Sequence, residues 1–118
     1  MFKRLIKRLS SNLQVQNYKA GELYSIPSQG KFGIFKVLKV DPKGVHVCVY
    51  SNLYSVQPSK INSNELFIDK KDKSGTNHTP LTFSSINLWN PSFLQSTKVE
   101  KDELEDYFFW KYNTPYYV

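Results

Sequence analysis

Residues 21–51 read GELYSIPSQGKFGIFKVLKVDPKGVHVCVYS, the pattern of an antiparallel meander. The first apolar stretch closes at Pro27, which has no amide hydrogen for a ladder and so predicts the end or an edge of a strand. Two longer runs rich in β-branched residues follow, joined by the turn sequence DPKG at residues 41–44. Because the second of the three runs is apolar on both faces, we expect a strongly curled, SH3-like antiparallel sheet with a core on one side and a helix or partner on the other.

The rest of the sequence predicts one α+β domain. A chain of 118 residues fits a single domain, and we place it at residues 20–118. Residues 69–79 predict a loop, because they are charged, contain glycine and include no apolar side chain. Residues 82–89 predict a short helix and residues 93–98 a last strand.

The final helix has the clearest start signal. Thr97 and Glu100 fit a capping box, and the acids that follow lie where the helix dipole favours negative charge. We expect Leu104, Tyr107 and Phe108 to form its buried stripe. The fold class predicted from the residues is therefore a curled sheet with a C-terminal helix.

Residues 1–14 predict a basic amphipathic N-terminal helix. Its apolar side chains recur at helical spacing, and lysines and arginines fill the other side. We expect this helix to dock on the sheet. Peripheral contact with a membrane surface, a presequence and a basic arm for nucleic acid are the alternatives.

The formal charge of +6 is unevenly distributed. Residues 1–14 carry a net +4, whereas residues 99–118 carry a net −3, since five acids there oppose two lysines. Such polarity favours oriented encounter with a charged partner. The single cysteine, Cys48, and the absence of any apolar run near the roughly 18 residues of a membrane span favour a cytoplasmic protein.

The sequence offers little catalytic chemistry. His46 and Cys48 project from one face of a strand about 7 Å apart, beyond hydrogen-bond reach, and we expect Cys48 to be buried and inert. One cysteine and two histidines give no zinc spacing, and Asp69 and Asp72 lack the remaining ligands of a calcium loop. We therefore expect no catalytic residue, no cofactor and no metal. A hydrolase using His46 or His78 is the third alternative.

Binding of a partner is the favoured kind of function. Lysines and aromatic residues alternate along residues 31–39, as in strand-based binders of single-stranded nucleic acid, but alternate residues of a strand point to opposite faces. A nucleic-acid-binding small β-barrel is therefore the alternative to a protein-binding domain. The residues expected to contact a partner are Tyr54, Trp89, Trp110, Lys31, Lys36 and Lys39.

Several motifs carry a family resemblance. Residues 21–27, 30–33 and 36–38 resemble the opening of small bacterial immunity proteins of polymorphic toxin systems, the type 26 immunity family. Residues 78–82 and 103–107, with Trp89 and Trp110, are similar to a tail seen in bacterial relatives. The resemblance implies a non-enzymatic cytoplasmic factor that inhibits a cognate toxin by stoichiometric binding.

The same opening also looks like the first strands of toxin barrels that cleave messenger RNA. The catalytic arginine of those toxins has no counterpart, because the only arginines are Arg4 and Arg8. The chain departs from an immunity profile in its charge. Inhibitors of nucleases are usually acidic, and this chain is acidic only in its last helix.

Overall fold

A five-stranded antiparallel sheet organises the structure, a computed structural model that describes residues 17–71, 74–113 and 115–118. The strands are β1 (Glu22–Ser28), β2 (Lys31–Asp41), β3 (Gly44–Val49), β4 (Thr76–Thr82) and β5 (Ser92–Ser96), in the order β4-β3-β2-β1-β5. The described residues also form two α-helices, α1 (Phe83–Leu88) and α2 (Glu105–Tyr112), and two 3₁₀ turns, Ser63–Glu65 and Lys101–Leu104. None of the helices in these ranges is long and apolar enough to cross a membrane.

The α+β class and the C-terminal helix are confirmed, but the expected strong curl is wrong. The sheet is open, with β4 and β5 at its two edges, and forms no SH3-like barrel in the described residues. The apolar residues on both faces of β2 indicate that both faces are covered, and an open sheet with packing on both faces satisfies that pattern as well as a barrel does. The amphipathic helix predicted at residues 1–14 lies outside the described residues.

The first hairpin follows from its turn residues. Gln29 and Gly30 both have positive φ, 50° and 76°, as a two-residue turn between twisted strands requires. Pro27 lies within β1 opposite Phe32. The pairing of β1 with β5 extends only to Ser25. At Pro27, β1 therefore has no strand on its β5 side, which is the edge position expected for a residue without an amide hydrogen.

A β-bulge at Leu38 changes which residues of β2 share a face. Val37 lies opposite Val47, but Lys39 lies opposite His46, so one residue of β2 is extra. A bulge of this kind reverses the alternation of side chains beyond it. The second half of β2 therefore turns Asp41 to the face that carries His46.

Each face of the sheet has its own packing layer. The larger core lies between the sheet and α1 and consists of Tyr18, Phe35, Val37, Val45, Val47, Leu81 and Ile86. On the other face, Leu23, Ile34 and Ile61 form a smaller core near β1, while α2 covers His46 with Tyr107 and Trp110. The second face thus holds a polar residue under a helix, and this feature positions the candidate site.

Three local expectations were wrong. Residues 76–79 of the loop predicted at 69–79 belong to β4, because pairing with β3 supplies the ladder although this segment has few apolar side chains. The capping box before α2 is formed by Glu100 and Glu103, whereas the hydroxyl of Thr97 donates to the carbonyl of Gly21 at 2.7 Å. In the stripe of the helix, Tyr107 is buried, but Phe108 is 43% exposed.

Gly44 allows β3 and β4 to approach each other. A Cβ at this position would lie 2.0 Å from the carbonyl oxygen of Leu81, a backbone atom that cannot move without loss of strand pairing. We expect Gly44→Ala to lower the free energy of unfolding by about 2 kcal/mol, measured by urea denaturation. Gly30→Ala is the control, because a Cβ there meets no atom within 4 Å, so only the left-handed strain of about 1 kcal/mol remains. An equal effect of the two substitutions would contradict the steric argument.

Candidate functional site

A chain of hydrogen bonds runs from the end of β2 through β3 to β4. Oδ2 of Asp41 lies 2.9 Å from Nε2 of His46, and Nδ1 of His46 lies 2.9 Å from Nε2 of His78. The hydroxyl of Tyr117 donates to the same carboxylate oxygen and lies 3.2 Å from Nε2 of His46. The β2–β3 hairpin places Asp41 within reach of His46, because Asp41 pairs with Gly44 and Lys39 pairs with His46, which puts Asp41 and His46 on one face of the sheet.

Asp41 also holds the β2–β3 turn. Its Oδ1 accepts hydrogen bonds from the backbone amides of Lys43 and Gly44 at 2.8 and 3.0 Å. Burial acts to raise the pKa of this carboxyl group, but the bonds from Tyr117, His46 and the two amides outweigh burial and lower the pKa to about 2. Asp41 is therefore ionised at neutral pH and can only accept hydrogen bonds.

The ionised Asp41 determines the tautomers of both histidines. Burial lowers the pKa of His46, against the opposing effect of Asp41, and burial together with His46 lowers the pKa of His78 to about 4. Both rings are thus neutral at pH 7. His46 must donate from Nε2 to Asp41, so its Nδ1 accepts the hydrogen of His78 Nε2. His78 is left with a lone pair on Nδ1.

Aromatic side chains enclose the histidine pair. His46 is fully buried, and its ring lies nearly parallel to that of His78, with 7° between the planes. Tyr107 and Trp110 of α2 pack edge-on against His46, with ring centroids 4.7 and 4.6 Å away. The helix and the following segment, which contributes Tyr117, therefore cover the pair on the face of the sheet opposite the larger core.

His78 forms part of the wall of a cavity of about 510 Å³ between β4 and α2. The lining residues are Asn77, His78, Asp106, Phe109, Trp110, Asn113 and Tyr116. Two hydrogen bonds fix this wall: the indole of Trp110 donates to the carbonyl of Tyr116 at 2.9 Å, and the amide of Asn113 donates to the carbonyl of Phe109 at 2.6 Å. The cavity combines aromatic surface with a single carboxylate.

The outer surface of α2 exposes large apolar side chains. Phe109 is 71% exposed and Tyr112 73% exposed, and Tyr116 beyond the helix is 66% exposed. Glu105 and Asp106 on the first turn of the helix are also exposed. We call these five residues the α2 surface; it is both aromatic and acidic.

The structure separates the aromatic residues predicted to contact a partner. The backbone of Tyr54 pairs with that of Phe32, and its hydroxyl donates to Glu65 at 3.1 Å. Trp89 packs edge-on against Phe35 at the larger core, 5.9 Å between centroids. Trp110 is the one residue of the nominated set that lines the cavity.

The three nominated lysines also differ in their surroundings. Lys31 and Lys39 are exposed. The side chain of Lys36 is 7% exposed, and its ammonium group bonds both carboxylate oxygens of Glu103 at 3.0 Å and the carbonyl of Lys98 at 2.6 Å. Lys36 therefore holds the segment before α2 against the sheet and has no free donor to offer.

Sequence reasoning did not bring forward the residues that surround Trp110 in the cavity. The sequence predicts no contact role for Phe109 or Tyr116, places Asp106 only among the acids that favour the start of the helix, and offers His78 only in the hydrolase alternative and in the family resemblance. One signal was available: Tyr107 and Trp110 lie three residues apart on α2, which places two aromatic rings on one face of the helix. That spacing identifies the covered face, and it leaves Phe109 on the exposed side.

Two further groups bear on the chemistry. Cys48 is 5% exposed, and burial raises the pKa of its thiol, in agreement with the expectation of a buried cysteine. Within the described ranges, no group of three or more histidine, cysteine, aspartate or glutamate side chains is arranged to hold a metal ion. The facing nitrogens of His46 and His78 bond each other instead.

The histidine pair makes stability depend on pH. His78 has a pKa of about 4 in the folded state against an ordinary value of 6.5, so the unfolded chain takes up its proton first as the pH falls. The stabilisation is complete above pH 6.5 and is lost between 6.5 and 4. We expect the melting temperature to decrease already between pH 6.5 and 5, before most carboxylates titrate. His78→Gln should flatten this part of the profile, and an unchanged profile in the variant would contradict the assignment.

No protein family model matches the sequence, and no curated protein or solved structure shows significant similarity to it.

Proposed function

We propose that this protein is a stoichiometric protein-binding factor of the immunity or neutralising type, which holds a basic protein against the α2 surface. The proposal is supported by one observation above all: Phe109, Tyr112 and Tyr116 are each more than 60% exposed and lie beside Glu105 and Asp106. Exposed aromatic residues of this size act as anchors in protein interfaces. The resemblance to bacterial immunity proteins favours the same kind of function.

Charge complementarity supports a basic partner. Residues 99–118 carry a net −3 in a chain whose formal net charge is +6. An acidic patch on a basic protein would be steered towards positive surfaces and would orient the encounter. On α2 itself, Glu105 and Asp106 outnumber Lys111, and these two carboxylates would supply the charge that attracts a basic partner.

The nucleic-acid alternative has less support. Lys31 and Lys39 are separated by eight residues along β2, roughly 26 Å at the rise of an extended strand, and Lys36 between them is buried in its ion pair. Binding to a phosphate backbone requires positive charges on one continuous surface.

The proposal assigns no catalytic role to the histidine pair. A general base works best when its pKa lies near the operating pH, and that of His78 is about 4. The pair resembles a proton relay in its geometry. We propose that its role is to fix α2 on the sheet.

Affinity capture followed by reconstitution tests the proposal. The full chain is used as bait in an extract of its native cells, the captured protein is purified, and its binding is measured by calorimetry. We expect the captured partner to be a basic protein that binds the full chain one-to-one. A host that expresses the captured partner should grow only when the full chain is co-expressed. Phe109→Ser and Tyr112→Ser should each weaken binding about 30-fold, the effect of a hot-spot residue of about 2 kcal/mol.

Phe67→Ser is the matched control, because Phe67 is 53% exposed, is not part of the α2 surface and does not line the cavity beside His78. It should leave binding unchanged. Recovery of RNA or DNA alone, with affinity that falls by orders of magnitude between about 50 and 200 mM salt, would instead establish the nucleic-acid alternative. Equal losses in Phe67→Ser and Phe109→Ser would contradict the location of the interface.

A further inference from the structure

We propose that the cavity between β4 and α2 is a binding site for a guanidinium group, the side chain of an arginine on the partner protein. The proposal rests on the proposed function, because it identifies the chemistry by which the α2 surface would recognise a basic protein. The cavity holds about 510 Å³, which is ample for one arginine side chain.

The polar groups of the cavity wall present acceptors. The hydrogen of His78 Nε2 is directed to His46, so Nδ1 of His78 has a lone pair. The amide nitrogen of Asn113 donates to the carbonyl of Phe109, which leaves its Oδ1 as an acceptor. The carboxylate of Asp106 adds a negative charge. A ligand that matches this wall must be rich in donors and positively charged.

The aromatic walls select a planar cation. Phe109, Trp110 and Tyr116 line the same cavity, and the hydrogen bond from Trp110 to Tyr116 holds the indole in one orientation. A guanidinium group is planar, carries five donors and stacks on aromatic faces, whereas an ammonium group is compact and strongly hydrated. The site should therefore prefer arginine to lysine.

The Asp41–His46–His78 chain acts on this site from a distance. Because ionised Asp41 takes the hydrogen of His46 Nε2, His78 exposes a lone pair instead of a hydrogen on Nδ1. Asp41, His46 and the hydroxyl of Tyr117 are thus positioning groups for the acceptor of the cavity. The titratable groups that face His78 are His46 on β3 and Tyr107 and Asp106 on α2, and none of these brings a positive charge at pH 7.

The direct test uses a small probe with a neutral isostere. Nα-acetyl-arginine methylamide is added to the full chain, and the indole resonance of Trp110 is followed by NMR. We expect saturable shifts with a dissociation constant on the order of 1 mM. The citrulline analogue, which has the same shape without the charge, and the lysine analogue should bind at least about tenfold more weakly. Equal shifts for arginine and citrulline would overturn the proposal.

A pair of variants distinguishes arginine binding in the cavity from general attraction to the negative charge of the helix. Asp106→Asn and Glu105→Gln each remove one carboxylate from the first turn of α2, but Glu105 does not line this cavity. Asp106→Asn should weaken arginine binding about tenfold and Glu105→Gln less than about twofold, since charge-assisted hydrogen bonds are about twice as strong as neutral ones. Equal losses would show attraction by the helix charge alone and would overturn the specific site.

The same variants distinguish this inference from the proposed function. If Phe109→Ser abolishes capture of the partner protein while the arginine probe fails to bind wild-type chain, the guanidinium site is wrong and the protein-binding function stands. If the probe binds and Asp106→Asn weakens it, but no protein is captured, the site stands and the proposed function is wrong.

Discussion

Replacement of Glu103 by leucine should lower the free energy of unfolding by about 3–5 kcal/mol, because it leaves the buried ammonium group of Lys36 without its counter-ion. The side chain of Lys36 is 7% exposed, against 26% for Glu103. Lys36→Met should therefore lower the free energy of unfolding by less than Glu103→Leu does, since water can reach the carboxylate of Glu103 that remains. Equilibrium denaturation in urea measures both changes.

The double variant Lys36→Met with Glu103→Leu provides the test of the mechanism. An apolar pair of similar volume removes both charges, so we expect it to recover most of the loss seen in Glu103→Leu. Lys39→Met is the control for removal of a lysine from β2, because Lys39 is exposed, and it should change stability by less than about 0.5 kcal/mol. Strictly additive losses in the double variant would contradict the ion-pair explanation.

The second large effect is expected at Asp41. Asp41→Ala removes two acceptor bonds of the β2–β3 turn and the carboxylate acceptor of His46, which is fully buried and keeps only the Tyr117 hydroxyl, 3.2 Å from its Nε2. An unsatisfied buried group costs about 1–3 kcal/mol, and hydrogen bonds to a charged group contribute about 1.5–3 kcal/mol. We expect a total loss of about 4 kcal/mol by urea denaturation.

Asp41→Asn distinguishes the contribution of Asp41 to the β2–β3 turn from its contribution to the hydrogen-bond chain through the histidines. The amide oxygen of asparagine can still accept from Lys43 and Gly44, but its nitrogen would donate to His46 Nε2. The hydrogens of both histidines would then move to Nδ1, which ¹⁵N NMR of the imidazole rings detects. We expect a smaller loss of stability than in Asp41→Ala and weaker arginine binding. Unchanged tautomers would contradict the assignment of the hydrogen-bond chain.

The parts of the fold that local sequence determines were the parts that could be predicted. The DPKG turn at residues 41–44, the short helix α1 and the strands β1 to β3 depend on neighbours along the chain. Thr82 caps α1 through its hydroxyl, 3.2 Å from the amide of Ser85, and such capping acts within a single turn of helix. Apolar residues on both faces of β2 correctly indicated that both faces of the sheet are covered.

The candidate site was decided by tertiary structure. Asp41 and His46 are five residues apart in one hairpin, but Tyr117, which donates to the same carboxylate oxygen of Asp41, is 76 residues further along the chain. His78 lies on β4, in a segment with few apolar side chains whose strand conformation comes from pairing with β3. The sequence predicts Lys36 as a partner-contacting residue, but its ammonium group is bound by Glu103, which lies 67 residues later in the chain. In each case the deciding partner is distant in sequence, and no local pattern records such a contact, because side-chain periodicity describes one element at a time.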